Sequence, residues 1–148
     1  MKNVDYIIVG MGIAGLVFSK TLRDHGKSFV VIDSPKQGAT KASGGVLNPT
    51  VLKRFTPAWN TVEFVLKAAT FYESLARDIG QQVLSGVAIH RILASVEEQN
   101  NWMVASDKEI LSKFLSPEIL KNNNTAISAS FGLGAVTQAN IMKPYGLL

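Results

Sequence analysis

The chain has 148 residues, 47% of them hydrophobic and 18% charged, which is enough apolar material to bury a core and excludes a disordered chain. Fifteen basic against eleven acidic residues give a net charge of +4, but apart from the Lys53–Arg54 pair the basic residues are scattered and no positive stripe is interleaved with aromatics, so nucleic-acid binding is not supported. No cysteine means no disulfide framework, no thiol nucleophile and no cysteine metal site, and fits a reducing, cytoplasmic setting.

Tyr6 to Val9 form a short apolar, β-branched run, expected as a strand buried on both faces. Gly10, Gly12 and Gly15 follow in the spacing G-x-G-x-x-G. Gly10 can take a tight turn without a Cβ penalty, Gly12 leaves room for a phosphate against the backbone, and Gly15 lets the next helix approach the strand. From Ile13 to Asp24 the residues Ile13, Leu16, Val17 and Leu22 recur at roughly helical spacing, and Gly26 stops the helix. The backbone N–H groups from Gly12 through Ile13 and Ala14 to Gly15 have no intrahelical acceptor, so with the helix dipole they face an anion.

Ser28 to Ile32 make a second strand, and Asp33 and Ser34 stand at its end. An acid at this place accepts hydrogen bonds from a ribose and disfavours a 2′-phosphate. A bare glycine motif would say little. Strand, glycine turn, helix, second strand and terminal acid in register point to dinucleotide binding. The apolar run Tyr6–Phe18 is not read as a signal-peptide core, because Asp5 precedes it and the phosphate-loop glycines interrupt it. It is also too short to span a bilayer.

Residues 34–57 read as a loop rich in Gly, Ser, Pro and Lys, of a length that usually has a task. Thr56 or Asn60 could cap a helix to about Asp78, with Val62, Val65, Leu66, Ala69, Tyr72, Leu75 and Ala76 on one face and Gly80 ending it. Val83 to Val96 predicts one or two strands, and Asn101 to Ser106 begins another element. Lys108 to Leu115 predicts a short helix, with Ser116 to Leu120 a further helical turn. Asn122–Asn124 reads as a turn.

Three passages together resemble the flavin-dependent oxidases and dehydrogenases of the D-amino-acid oxidase and glycine oxidase group. They are the fingerprint from Val9 to Asp33, the passage GATKASGGVLNP, and the pair SGVAIHRILASVEE and FGLGAVTQANIMKPYG. The second is similar to that family's second cofactor loop and favours FAD over NAD, since an NAD enzyme would follow Asp33 promptly with another βα unit. The resemblance implies that Thr40, Lys41, Ala42 and Ser43 lie beside the phosphates and ribityl chain. It also implies that Gly44, Gly45, Val46 and Leu47 back the isoalloxazine, where small residues allow close backbone approach. Asp33 stands where this family more often has Glu.

The expected fold is α/β: a Rossmann-like FAD-binding βαβ unit with the start of a second, α+β substrate domain. Its divisions are 1–82 for the cofactor part, 83–135 for the substrate-domain start, and 136–148 for a return towards the cofactor domain. Family members are much longer, so the chain looks truncated, and self-association or a separate C-terminal part is expected. The implied activity is hydride transfer from the amine-bearing carbon of an amino acid or related amine to flavin N5.

Alternatives of the same class are an FAD dehydrogenase of hydroxy acids or glycerol phosphate and an NAD(P) reductase. The alternative of another class is a non-catalytic cofactor-binding fragment. A bidentate arginine for a substrate carboxylate is expected, but only by residue type does Arg91 qualify. His25 reads as a partner of its helix C-terminus. His90 faces either a pocket or solvent. No carboxylate or His cluster has metal-ligand spacing. Lys41 and Trp59 are most simply a solvated lysine and a packing residue, although Trp59 could border a site entrance.

Overall fold

The computed structural model describes residues 3–34 and 38–142, which fall into two compact units, one within residues 1–45 and the other Val46–Met142. In the first unit, β1 (Tyr6–Val9) leads into α1 (Ile13–Asp24), which returns to β2 (Phe29–Ile32). The two strands pair in parallel with Tyr6 opposite Phe29 and Val9 opposite Ile32. Crossing from a strand through a helix to a parallel neighbour is the βαβ unit. The elements fall where the apolar spacing and Gly26, with φ +64°, set them.

Asp5 ties the two strand entries together, its carboxylate accepting from the Ser28 backbone N–H at 2.8 Å and hydroxyl at 2.7 Å. Those two bonds hold the carboxyl below its usual range. The expectation of a strand buried on both faces fails for β1, where Ile8 alone is buried. Ile7, Val9, Val30 and Ile32 are exposed, and the register aligns them in two cross-strand pairs on one face of the sheet. α2 (Ala39–Ala42) completes the first unit's described elements.

The second unit is built on β8 (Leu133–Met142). β6 (Leu84–Ile92) pairs antiparallel along one side of it, while β3 (Val46–Leu47) and β7 (Leu115–Leu120) pair along the other. A separate hairpin joins β4 (Thr50–Val51) and β5 (Thr56–Pro57), so the expected long loop contains three short strands. α3 (Thr61–Ile79) begins after Asn60 and ends at Gly80, which takes φ +66°. Tyr72 and Leu75 are buried on it as expected, whereas Leu66 is exposed.

Three elements correct the sequence reading. Ser95 caps α4 (Val96–Ser106), its hydroxyl accepting from Glu98 N–H at 3.1 Å, so Val96 starts a helix and Asn101 lies within it. The tetrad Ser95-x-x-Glu98 is a capping-box spacing that marks this start. Residues 116–120 are strand rather than helix, and the helix expected over 108–115 shrinks to a 3₁₀ turn, Leu111–Lys113. Pro117 lacks an N–H, and the β7–β8 register shifts between Leu115 and Ile119, where a strand tolerates it.

The core of this unit gathers Leu93, Trp102, Ala105, Leu111, Leu115, Val136 and Ala139. Trp102 is fully buried, donates its Nε1–H to the Ser116 carbonyl at 2.8 Å and meets Phe55 edge-on at 5.9 Å. Such a buried indole combines a large apolar area with a satisfied donor. Gly134 makes room for it: a Cβ there would lie 2.4–2.6 Å from the indole ring. No helix among the described residues is long and apolar enough to cross a membrane.

Candidate functional site

The glycine turn sits between β1 and α1. Gly10 has φ +90°, a conformation that L side chains resist, and its N–H donates to the Ile32 carbonyl at 2.8 Å, extending the pairing with β2 by one step. Gly12 is the N-cap of α1 in extended conformation and offers no side-chain cap. Gly15 is buried, and a Cβ built on it would stand 2.1 Å from the Gly10 carbonyl oxygen, so the close passage of helix over strand needs a residue without one.

The first turn of α1 leaves a defined set of donors. Leu16 N–H reaches back to the Gly12 carbonyl at 2.9 Å, and the N–H groups before it have no carbonyl one turn earlier in the helix. Ile13 N–H donates to the Thr40 hydroxyl at 3.0 Å. Ala14 and Gly15 N–H have no backbone or side-chain acceptor among the described residues. With the positive end of the helix dipole, these two groups can hold an anion.

Asp33 and Ser34 follow β2 directly and are both exposed. Since Val9 pairs with Ile32 and Gly10 bonds back to Ile32, Asp33 leaves the sheet beside the glycine turn. In the second loop, Thr40 and Ala42 lie in α2. The loop is pinned locally, with the Ser43 hydroxyl donating to the Thr40 carbonyl at 2.9 Å and accepting from Gly45 N–H at 3.4 Å. Gly44 is exposed, while Gly45 is buried with φ +68°. Lys41 contributes backbone to α2, and its side chain lies outside the described part.

Gly10, Gly12, Ile13, Ala14, Gly15 and Thr40 are thus gathered in one unit, with Asp33 next to them. Val46 and Leu47 belong to the other, as strand β3. The contact of Thr40 with the helix start was not part of the sequence reading. A β-branched hydroxyl 27 residues away carries no local signal.

In the second unit a cavity of about 330 Å³ opens between β3, α3, β6 and β8, with Leu47, Trp59, Phe64, Leu84, Gln138 and Asn140 on its walls. Arg91 is not available there. Its Nη2 donates to Glu98 Oε1 at 2.7 Å, and its guanidinium lies 5.2 Å from the Phe55 ring centre. Glu98 also accepts from Ala94 N–H at 3.0 Å, and this bond, then Arg91, holds its carboxyl below the usual range. Arg91 is thus paired with Glu98 and does not line this cavity. His90 is exposed on β6, and His25 caps α1 with Nδ1 2.8 Å from the Thr21 carbonyl.

Residues 5–54 match a protein family described as FAD binding domain. FAD is the cofactor of the domain so matched. Among solved structures, the chain is similar to L-amino acid deaminase from Proteus vulgaris, with a TM-score of 0.64 at 15% sequence identity. That similarity covers 97% of this chain and 35% of the deaminase chain, so the protein spans about a third of the length of the structure it matches. The likeness is one of fold.

Proposed function

We propose that the glycine turn holds the pyrophosphate of FAD and that the protein works as an FAD-dependent oxidoreductase acting on an amino acid or related amine. The observation that carries the binding part is the joint geometry of the turn. Gly15 lets α1 descend onto β1, which aims the Ala14 and Gly15 N–H groups past Gly12, where no side chain intervenes. The residues present fit a dinucleotide: two open donors for a diphosphate and a carboxylate, Asp33, at the strand end for ribose hydroxyls.

Each residue then has a definite task. Ala14 and Gly15 donate to phosphate oxygens, and Thr40, by accepting from Ile13, fixes the second loop against the helix start. Asp33 accepts from a ribose diol. Ser34 extends that edge, and Lys41, Ala42 and Ser43 continue the lining along the phosphates and ribityl chain. Gly44 and Gly45 allow close approach of a flat ring. When bound, FAD supplies a hydride acceptor, N5 of its ring. The substrate would lose hydride from its amine-bearing carbon, and the imine would take up water to give a carbonyl product and ammonia.

The fold similarity to an amino acid deaminase favours that substrate class over hydroxy acids and glycerol phosphate. A second reading, a unit that holds FAD without catalysing, is favoured by one observation. Arg91 is engaged by Glu98 and Phe55, and no charged side chain among the described residues lines the second-unit cavity. The missing cysteines fit a cytoplasmic setting.

The test is the visible spectrum of the purified chain and of Gly12→Val, with the released cofactor identified. A bound flavin in the parent and a colourless, folded variant are expected, because even a Cβ at Gly12 would lie 3.2 Å from the Thr40 hydroxyl and the larger side chain fills the phosphate path. Equal flavin retention by the variant removes the pyrophosphate assignment. Turnover of an amino acid by the flavin-loaded chain decides between the two readings.

A further inference from the structure

The second-unit cavity has walls that are apolar or uncharged throughout. Leu47, Phe64 and Leu84 supply aliphatic and aromatic surface, and Trp59, largely exposed, stands edge-on to Phe64 at 5.3 Å. Its polar groups are side-chain amides together with the buried Thr61. Two of those amides are oriented by bonds elsewhere. Asn48 Oδ1 accepts from both the N–H and the hydroxyl of Thr50, at 3.0 and 2.8 Å, which turns its Nδ2 hydrogens away from that turn. Gln138 Nε2 donates to the Lys113 carbonyl at 3.0 Å, leaving its Oε1 as an acceptor.

The third amide is the informative one. Asn140 sits on the central strand β8, paired with Leu47 of β3 on one side and Gly86 of β6 on the other. It is half-buried, lines the cavity, and its side chain has no hydrogen-bond partner among the described residues. An amide that no protein group engages, on the wall of a cavity, keeps both its donor and its acceptor open to a ligand.

We propose that this cavity is a binding site for a small uncharged molecule with an aryl or branched aliphatic body and one amide-type group, held by Asn140 with help from Asn48 and Gln138. An amide has one acceptor and two donors, which matches the acceptor of Gln138, the donors of Asn48 and the dual character of Asn140. A carboxylate or ammonium would lose its hydration with no opposite charge on the walls to replace it. A volume of about 330 Å³ suits a body the size of a phenylalkyl group. Leu47 on its wall is also a residue that the family resemblance sets behind the flavin ring, so the test includes a flavin probe and does not involve turnover.

The full chain is titrated with three probes that share a phenylalkyl body, 3-phenylpropanamide, 3-phenylpropanoate and 3-phenylpropylamine, by calorimetry and by tryptophan emission. Trp59 is the responsive fluorophore, since Trp102 is fully buried elsewhere. The amide should bind saturably, at least tenfold more tightly than either ion, with a blue shift of emission. Asn140→Leu should weaken the amide tenfold or more. Asn140→Asp should invert the order and favour the amine, which keeps the test informative if the leucine variant fails to fold. Absent binding, equal binding of the carboxylate, or an unchanged order in Asn140→Asp overturns the proposal. Displacement of the amide by lumiflavin also overturns it, by giving the cavity to a flavin ring.

Discussion

Gly15→Ala gives the sharpest test of the glycine turn, because two opposite effects compete at one residue. Alanine is the better helix former by about 1 kcal/mol, and Gly→Ala replacements at compatible positions stabilise by about 0.4–1 kcal/mol through the unfolded chain. Against this, the new Cβ would stand 2.1 Å from the Gly10 carbonyl oxygen and 3.2 Å from its carbon. Non-bonded heavy atoms prefer a separation of roughly 3.5 Å, so helix and strand must part by about 1.4 Å to restore it. The obstacle is backbone, which cannot rotate aside as a side chain would. Overpacking of this kind costs about 1–3 kcal/mol, so net destabilisation of about 1–2 kcal/mol is expected. Both tryptophans lie in the other unit, so the readout is hydrogen exchange of peptides covering β1 and α1, with far-UV circular dichroism for the helix. Gly38→Ala, where a Cβ meets nothing within 4 Å among the described residues, serves as the neutral control. A Gly15→Ala protein whose β1 and α1 peptides are protected as well as the parent's would refute the close-approach argument.

Three further outcomes follow from single contacts. Thr40→Val removes the acceptor of the Ile13 N–H, so the first unit should lose about 1 kcal/mol, as for a lost helix cap, and hold FAD more weakly; exchange of the α1 peptide and flavin titration read this. Gly134→Ala drives a methyl into the Trp102 ring and should destabilise the second unit by about 1–3 kcal/mol, measured by denaturation followed through the buried indole. The Glu98 carboxyl, held below its ordinary value by Ala94 and Arg91, stabilises the fold fully above the unfolded-state pKa and loses that contribution as pH falls through its lowered folded value. Glu98→Gln should therefore lower stability at pH 7 and flatten the acid limb of a denaturation series.

The first unit was legible because its signals are local. Apolar spacing, Gly26 and the three glycines each fix a neighbouring turn, and α1 and β1 fall at the positions they dictate. The exposure of Ile7 and Val9 could not be read that way, since β-branched residues report that a strand forms and not what covers it. In the second unit the determinants are distant in sequence. Residues 116–120 read as a further helical turn until their strand has β8 to pair with, and the need for Gly134 shows only once Trp102, 32 positions earlier, takes its space. Ser95 and Glu98 were the exception, a cap written locally beneath a run of residues that favours strand. The candidate site divides on the same line. The helix-start donors follow from the glycine spacing, whereas Thr40 meets Ile13, and Asn140 stands open beside Leu47, only because long-range folding brings those segments together.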